Sequence, residues 1–288
     1  MRPPMTEGTP LTLDVFTVPC RPIIRPLRPR APPGGWSWPP TAAVLIAGKH
    51  EAVVVDTLVT TGDAENLADW IEATGKTLTA IYVTHDHADH FLGAPVLLRR
   101  FPKSRLVALP LVIEDIRLQL MSGVIEKYWK PMFDGNVADG HVLPEPLDHG
   151  RIDLEGHEIF AVQSGQSDTA HSTYLHIPEL AAIVVGDIAY DGVHMRLGDT
   201  DRDKRMAWVQ TLSELAALQP RIVVAAHRRP EAKNAPEILA ECVDYILDFD
   251  GFLADGIRAR ELIRKMITAY PERIDLSTLY TAAYILSS

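Results

Sequence analysis

The chain has 288 residues, of which 47% are hydrophobic and 23% charged, and a net charge of −10. This composition is too apolar for a disordered chain, and no run reaches the roughly 18 apolar residues that a membrane span needs. The acidic balance argues against a general affinity for nucleic-acid backbone or anionic membrane. Two cysteines, Cys20 and Cys242, stand against 11 histidines, so any metal would be held by imidazole and carboxylate.

Half of the 22 prolines fall in residues 1–40, which are also locally basic. Proline fixes φ and removes an amide donor, so this stretch predicts an arm lying over the domain, with one edge strand at 11–18. Its sharper uses are a homodimer contact or a pocket wall built by Trp36 and Trp38. It carries no secretory signal pattern, which favours the cytoplasm. Next come two short apolar runs, 42–47 and 52–56, joined by Gly48-Lys49-His50-Glu51 as a hairpin. Helical spacing at 63–74 ends at Gly75. A buried strand follows at 78–84, then a helix at 91–101, a strand at 105–109 and a helix at 111–130 stopped by Pro131. After a looser stretch to 150 come strands at 157–163, 172–177 and 181–185, a helix at 203–218 and a strand at 221–226. Helices are expected at about 236–249, 254–269 and 276–286. The predicted organisation is an arm (1–40), a core (41–230) with an insertion or lid at about 111–150, and a C-terminal helical extension (231–288). Mixed α/β layers, with helices outside the sheets, fit this order.

Three imidazoles and two carboxylates crowd into Thr84-His85-Asp86-His87-Ala88-Asp89-His90, directly after a buried strand. Metal ligands must converge on a point about 2.0–2.2 Å from each donor atom, and a polar run this dense at a strand end suits that need. The motif His-x-His-x-Asp-His resembles that of the metallo-β-lactamase superfamily. So do Val184-Val185-Gly186-Asp187, Val223-Val224-Ala225-Ala226-His227 and Val53-Val54-Val55-Asp56-Thr57, which stand in the family's order along the chain.

The resemblance implies a four-layer αβ/βα sandwich of two mixed sheets with outer helices. It also implies a binuclear site holding one or two Zn2+ ions: His85 and His87 on the first, Asp89, His90 and His227 on the second, Asp187 bridging, and Asp56 supporting from behind. Where the family carries a histidine as third ligand of the first metal, this chain has Gln166, a neutral and poorer donor. That predicts a weakened first site. His171, five residues on, is a candidate to swing in. Tyr190 is a candidate oxyanion donor and His194 a candidate pocket-lining residue. Asp89 is expected both to ligate and to take a proton from water. The implied activity is hydrolysis of an ester, lactone or thioester by metal-activated water, as in the lactonase and glyoxalase-II-like branch. The alternatives are a phosphodiesterase or β-lactamase on the same scaffold, or a metal-depleted, inactive member. Apolar residues of the insertion, among them Leu118, Met121, Tyr128, Trp129 and Phe133, suggest a small-molecule substrate with an apolar portion.

Overall fold

The computed structural model describes residues 10–25 and 30–287. The parts of the arm at 1–9 and 26–29 therefore lie outside the described residues. Strands β1 (Thr12–Val18), β4 (Thr41–Ala47), β5 (Glu51–Val55), β6 (Thr77–Tyr82), β7 (Arg105–Ala108) and β8 (Glu145–Pro146) form one sheet in that spatial order. The pairs β1–β4 and β4–β5 are antiparallel, and β5–β6, β6–β7 and β7–β8 are parallel. The second sheet has the order β13 (Ile222–Ala225), β12 (Ala182–Gly186), β11 (Ser172–Ile177), β10 (His157–Gly165), β9 (Arg151–Leu154). Strands β2 (Arg21–Pro22) and β3 (Ser37–Trp38) make a small ladder of their own.

Alternation along the strands sorts side chains into three apolar layers. In β4, Val44 and Ile46 face the second sheet, whereas Ala43 and Leu45 face helices α1 (Thr61–Ala73), α3 (Ala94–Arg100) and α4 (Pro110–Ser122). In β12, Val184 faces the first sheet, and Ile183 and Val185 face α6 (Arg202–Ala217) and α7 (Ile238–Ala254). Both sheets are thus buried on both faces, which is why β4, β5, β12 and β13 are continuous apolar runs. Helices α8 (Ala259–Ala269) and α9 (Leu276–Leu286) complete the outer layer of the second sheet. No helix among the described residues is long and apolar enough to cross a membrane.

Two predicted helices are broken. The one expected at 91–101 is shortened to α3: Phe91 instead ends the short α2 (Ala88–Phe91), and between them Gly93 lies against the Thr57 carbonyl, where a Cβ would come within 1.9 Å, and gives its N–H to the Leu58 carbonyl. The one at 111–130 stops at Gly123, which adopts a left-handed φ of 71°. A π-turn (Ile125–Trp129) and the short α5 (Lys130–Met132) follow, so Pro131 sits inside a helical turn and does not end one.

Helices α6 and α7 are joined by a buried ion pair. Arg205 donates from Nε and Nη2 to Asp250 Oδ1 at 3.0 and 2.8 Å, and from Nη1 to the Thr200 carbonyl. Asp250 Oδ2 also accepts from Arg202 Nε at 3.2 Å, but that arginine is largely exposed, so losing Arg205 leaves the buried carboxylate only a solvent-facing partner. Arg205→Met should cost about 3–5 kcal/mol in urea unfolding, and Arg205→Met/Asp250→Leu distinctly less.

Candidate metal centre

Every residue of the cluster stands at the carboxyl end of a strand or on the turn beside one. Asp56 follows β5 and takes a φ of 63°, a conformation an aspartate tolerates. The segment 84–90 leaves β6, Asp187 leaves β12 and His227 leaves β13. The β10–β11 turn brings in Ser167 and Asp168. Gly186 has a φ of 52° and sits so close to Thr84 that a Cβ would lie 2.8 Å from its Oγ1. This close approach lets Asp187 meet the histidine segment.

Asp56 orients that segment. Its Oδ1 accepts from the Thr84 N–H at 2.9 Å, and its Oδ2 lies 2.8 Å from His90 Nδ1. With Nδ1 so engaged, His90 Nε2 is directed at the cluster, 3.4 Å from Asp187 Oδ1. His227 is held likewise. Its Nδ1 lies 3.0 Å from the Pro40 carbonyl, and its Nε2 lies 3.1 Å from Asp187 Oδ2 and 3.4 Å from Asp89 Oδ2. His85 Nε2 points between Asp168 and Asp187, at 3.7 and 3.8 Å.

Two groups of donor atoms emerge: His85, His87, Asp168 and Asp187, and Asp89, His90 and His227. Within each, the ligand atoms lie within 4.8 Å of one another. His85 Nε2, His90 Nε2, Asp89 Oδ1 and Asp187 Oδ1 are buried with no hydrogen-bond partner. Asp168 Oδ2, 2.9 Å from His87 Nδ1, has no well-directed one. So many orphaned lone pairs in one buried place are costly unless a cation takes them. The donor set therefore fits a metal.

The charges support the same reading. Burial alone would raise the Asp187 carboxyl, but His227 and His90 outweigh it and hold it well below the usual carboxylate range. Burial likewise opposes ionisation of Asp89, and again His90 and His227 prevail. For His227, burial lowers the affinity for a proton, yet Asp187 and Asp89 push it up to about 9. These carboxylates are ionised and seek positive charge.

Gln166 lies outside the cluster. Its Nε2 donates to the Ser167 and Thr169 carbonyls at 2.7 and 3.2 Å, folding the amide back onto its own turn. Asp168 projects inward instead, with its Oδ1 accepting from Ser167 Oγ at 2.9 Å. His171 is turned away to Asp115, with Nδ1 to Oδ2 at 2.6 Å. His194 lines no part of the cavity; it is fully buried against Tyr245, whose hydroxyl lies 3.0 Å from its Nδ1. Tyr190 does line the cavity, but its hydroxyl donates to Asp187 Oδ2 at 3.0 Å, so its proton is already engaged. Burial, then Asp187, raises its pKa far up and keeps it a donor.

A cavity of about 250 Å³ opens over the cluster. Trp38 forms one wall, its Nε1 donating to Asp89 Oδ2 at 3.0 Å and its ring edge-on to Trp129 and Phe133. Trp36 is buried in the core and is not part of the wall. Tyr128 and the α9 residues Ser277, Thr278 and Ala282 also line the opening. Of the apolar insertion, Val112, Ile113 and Met132 are core, and Leu118 and Met121 are exposed.

Residues 36–227 match the sequence profile of the metallo-beta-lactamase superfamily. The chain belongs to the metallo-β-lactamase superfamily. It is 30% identical over 165 residues to a hydroxyacylglutathione hydrolase of Synechococcus sp. (strain WH7803), and 33% identical over 128 residues to that of strain CC9902. These matches span only 56% and 40% of the relatives' lengths. A metallo-beta-lactamase family protein from Thermus thermophilus superposes with a TM-score of 0.64 at 18% identity, over 94% of this chain and 91% of that one. A metallo-beta-lactamase from Pontibacter korlensis superposes at 0.55 and 16% identity, over 73% and 88%. At those identities the likeness is one of fold.

Against the superfamily's pattern, the weak position expected at Gln166 is occupied from two residues further on. The signal was present as the acidic residue of Gly165-Gln166-Ser167-Asp168, in a turn that otherwise lacked a ligand. Trp38 as a partner of Asp89 was foreshadowed only as a wall.

His194 gives a test independent of metal. Burial, aided by Arg273, lowers its pKa to about 3. Since the unfolded chain binds that proton near pH 6.5 and the folded one does not, stability falls as pH drops from about 6.5 towards 3. At pH 5 this loss amounts to about 2 kcal/mol. His194→Gln should therefore lose less stability than the parent between pH 7 and pH 5 in denaturant titrations.

Proposed function

We propose that this protein is a zinc-dependent hydrolase of carboxylic esters, lactones or thioesters, acting on a small substrate with an apolar portion. The observation that carries the reading is the pair of buried donor groups around Asp187 at the floor of a cavity. The hydroxyacylglutathione hydrolases that the chain resembles are consistent with thioester cleavage. His85, His87, Asp168 and Asp187 would hold one ion, and Asp89, His90 and His227, with Asp187 between, the other. Bound there, the metal supplies Lewis acidity and lowers the pKa of water.

The protein's own groups do the rest. Asp89 Oδ1, ionised and free of hydrogen bonds, can accept a proton, while Trp38 Nε1 on Oδ2 fixes the carboxylate's orientation. Tyr190 keeps Asp187 in position through its hydroxyl. Asp56, through Thr84 and His90, keeps the histidine segment in register. Trp38 and Tyr128 offer apolar surface to the substrate. The metal-depleted alternative rested on Gln166; the Asp168 carboxylate, grouped with His85, His87 and Asp187, supports the metal-loaded reading instead. Residence in the cytoplasm belongs to the same proposal and draws on two unpaired cysteines.

Metal analysis and a hydrolysis panel test it. Asp168→Ala should lose about one metal per chain, whereas Gln166→Ala should keep the parent's content. The zinc-loaded parent should cleave an ester, lactone or thioester, and Asp187→Ala should be inert. Turnover confined to a phosphodiester or a β-lactam would contradict the substrate class.

A further inference from the structure

The C-terminal helices carry charge of opposite sign on neighbouring outer faces. Helix α7 contains no lysine or arginine. Its exposed residues include Glu241, Asp244 and Asp248, spaced three and four apart and so on one side of the helix. Like charges at that spacing repel one another. Asp248 accepts from the Tyr270 hydroxyl at 2.8 Å, but no cation pairs with any of the three among the described residues. Leu247, on the same ridge, keeps 44% of its surface exposed.

On the next helix the sign reverses. Helix α8 packs on both α7 and α9, and a groove of about 480 Å³ runs between α8, α9 and the arm. Arg30, Arg260 and Arg264 line it, and no carboxylate does. Arg30 and Arg260 have no ion-pair partner among the described residues, and Arg264 reaches Glu261 only at 3.7 Å. Ile263, Ile267, Tyr280 and Tyr284 make the rest of the lining mostly apolar. In a chain of net charge −10, such a groove attracts an acidic partner. It is separate from the metal centre, whose cavity is lined by other residues of α9, among them Ser277 and Thr281.

We propose that this face is a homodimer interface, in which the acidic ridge of α7 docks into the α8–α9 groove of a second copy, and reciprocally. Ridge and groove lie on adjacent helices of one outer layer, so a two-fold axis engages both pairs at once. Asp244 and Asp248 then face the partner's Arg260 and Arg264, and Leu247 is covered by the apolar lining beside them. A small anion would use the guanidiniums but leave the like-charged ridge and Leu247 in water. A second copy covers all three features with surface the chain already carries. The interface does not depend on the hydrolase reading.

Analytical ultracentrifugation of the full chain tests this. The parent should sediment with twice the chain's mass at about 10 μM in low salt. Arg260→Glu/Arg264→Glu should weaken the dimer about 100-fold, and Asp244→Arg/Asp248→Arg by a similar factor, since each sets like charges against each other. A chain carrying all four changes exchanges the sign of both sides and should recover to within about tenfold of the parent. All four positions are exposed, so each variant should keep the parent's circular dichroism. Leu247→Ser, which alters no charge, should weaken the dimer about tenfold and carries the test where a charge reversal fails to fold. A monomeric parent would overturn the proposal, as would a dimer that the charge pairs or Leu247→Ser leave intact. A fourfold variant no tighter than the two pairs would show that ridge and groove do not meet, and would overturn it equally.

Discussion

Four carboxylates, Asp56, Asp89, Asp168 and Asp187, are buried among four imidazoles, and the surrounding structure is organised to hold these charges in one place. Burial disfavours each charge taken singly, and only mutual pairing or a cation makes their company tolerable. Asp56 meets its share through hydrogen bonds from Thr84 and His90. Asp187, with His227 and His90 on one side and His85 on the other, stands between the two donor groups. Its position is set by the close contact of Gly186 with Thr84, which joins the end of one sheet to the end of the other.

The same demand explains why the chain's two extremities meet at this spot. The arm brings Trp38 against Asp89, and Ser37 hydrogen-bonds to Asp275 and Ser277 at the start of α9. Gly198 lies so close to Ala282 and Ile285 that α9 packs directly onto the loop between β12 and α6. The walls of the cavity are therefore built from parts of the chain far apart in sequence, with 240 residues separating Ser37 from Ser277. Exclusion of water from the cluster, which strengthens every electrostatic interaction there, depends on that convergence.

Much of this was legible in the sequence. The doubly buried strands appear as unbroken apolar runs, and the residues that close them, Asp56, His85, Asp187 and His227, are the ones that assemble. Local rules failed where tertiary contacts prevailed. The helix expected at 91–101 starts only at Ala94, because Gly93 packs against the Thr57 carbonyl and gives its N–H to the Leu58 carbonyl rather than to a helix. Gln166 stands out as the odd residue of its turn, yet its amide satisfies backbone carbonyls there, and a carboxylate two residues later faces the cluster. Side-chain direction within an irregular turn has no period from which to read it.

The central claim is that two metal positions flank Asp187 and that Asp168 completes the first. Anomalous diffraction from a zinc-loaded crystal, collected on either side of the zinc edge, addresses it directly. The account predicts two peaks, one bounded by His85, His87, Asp168 and Asp187, the other by Asp89, His90, His227 and Asp187. A single peak, or a first metal ligated by Gln166 with Asp168 turned away, would contradict it.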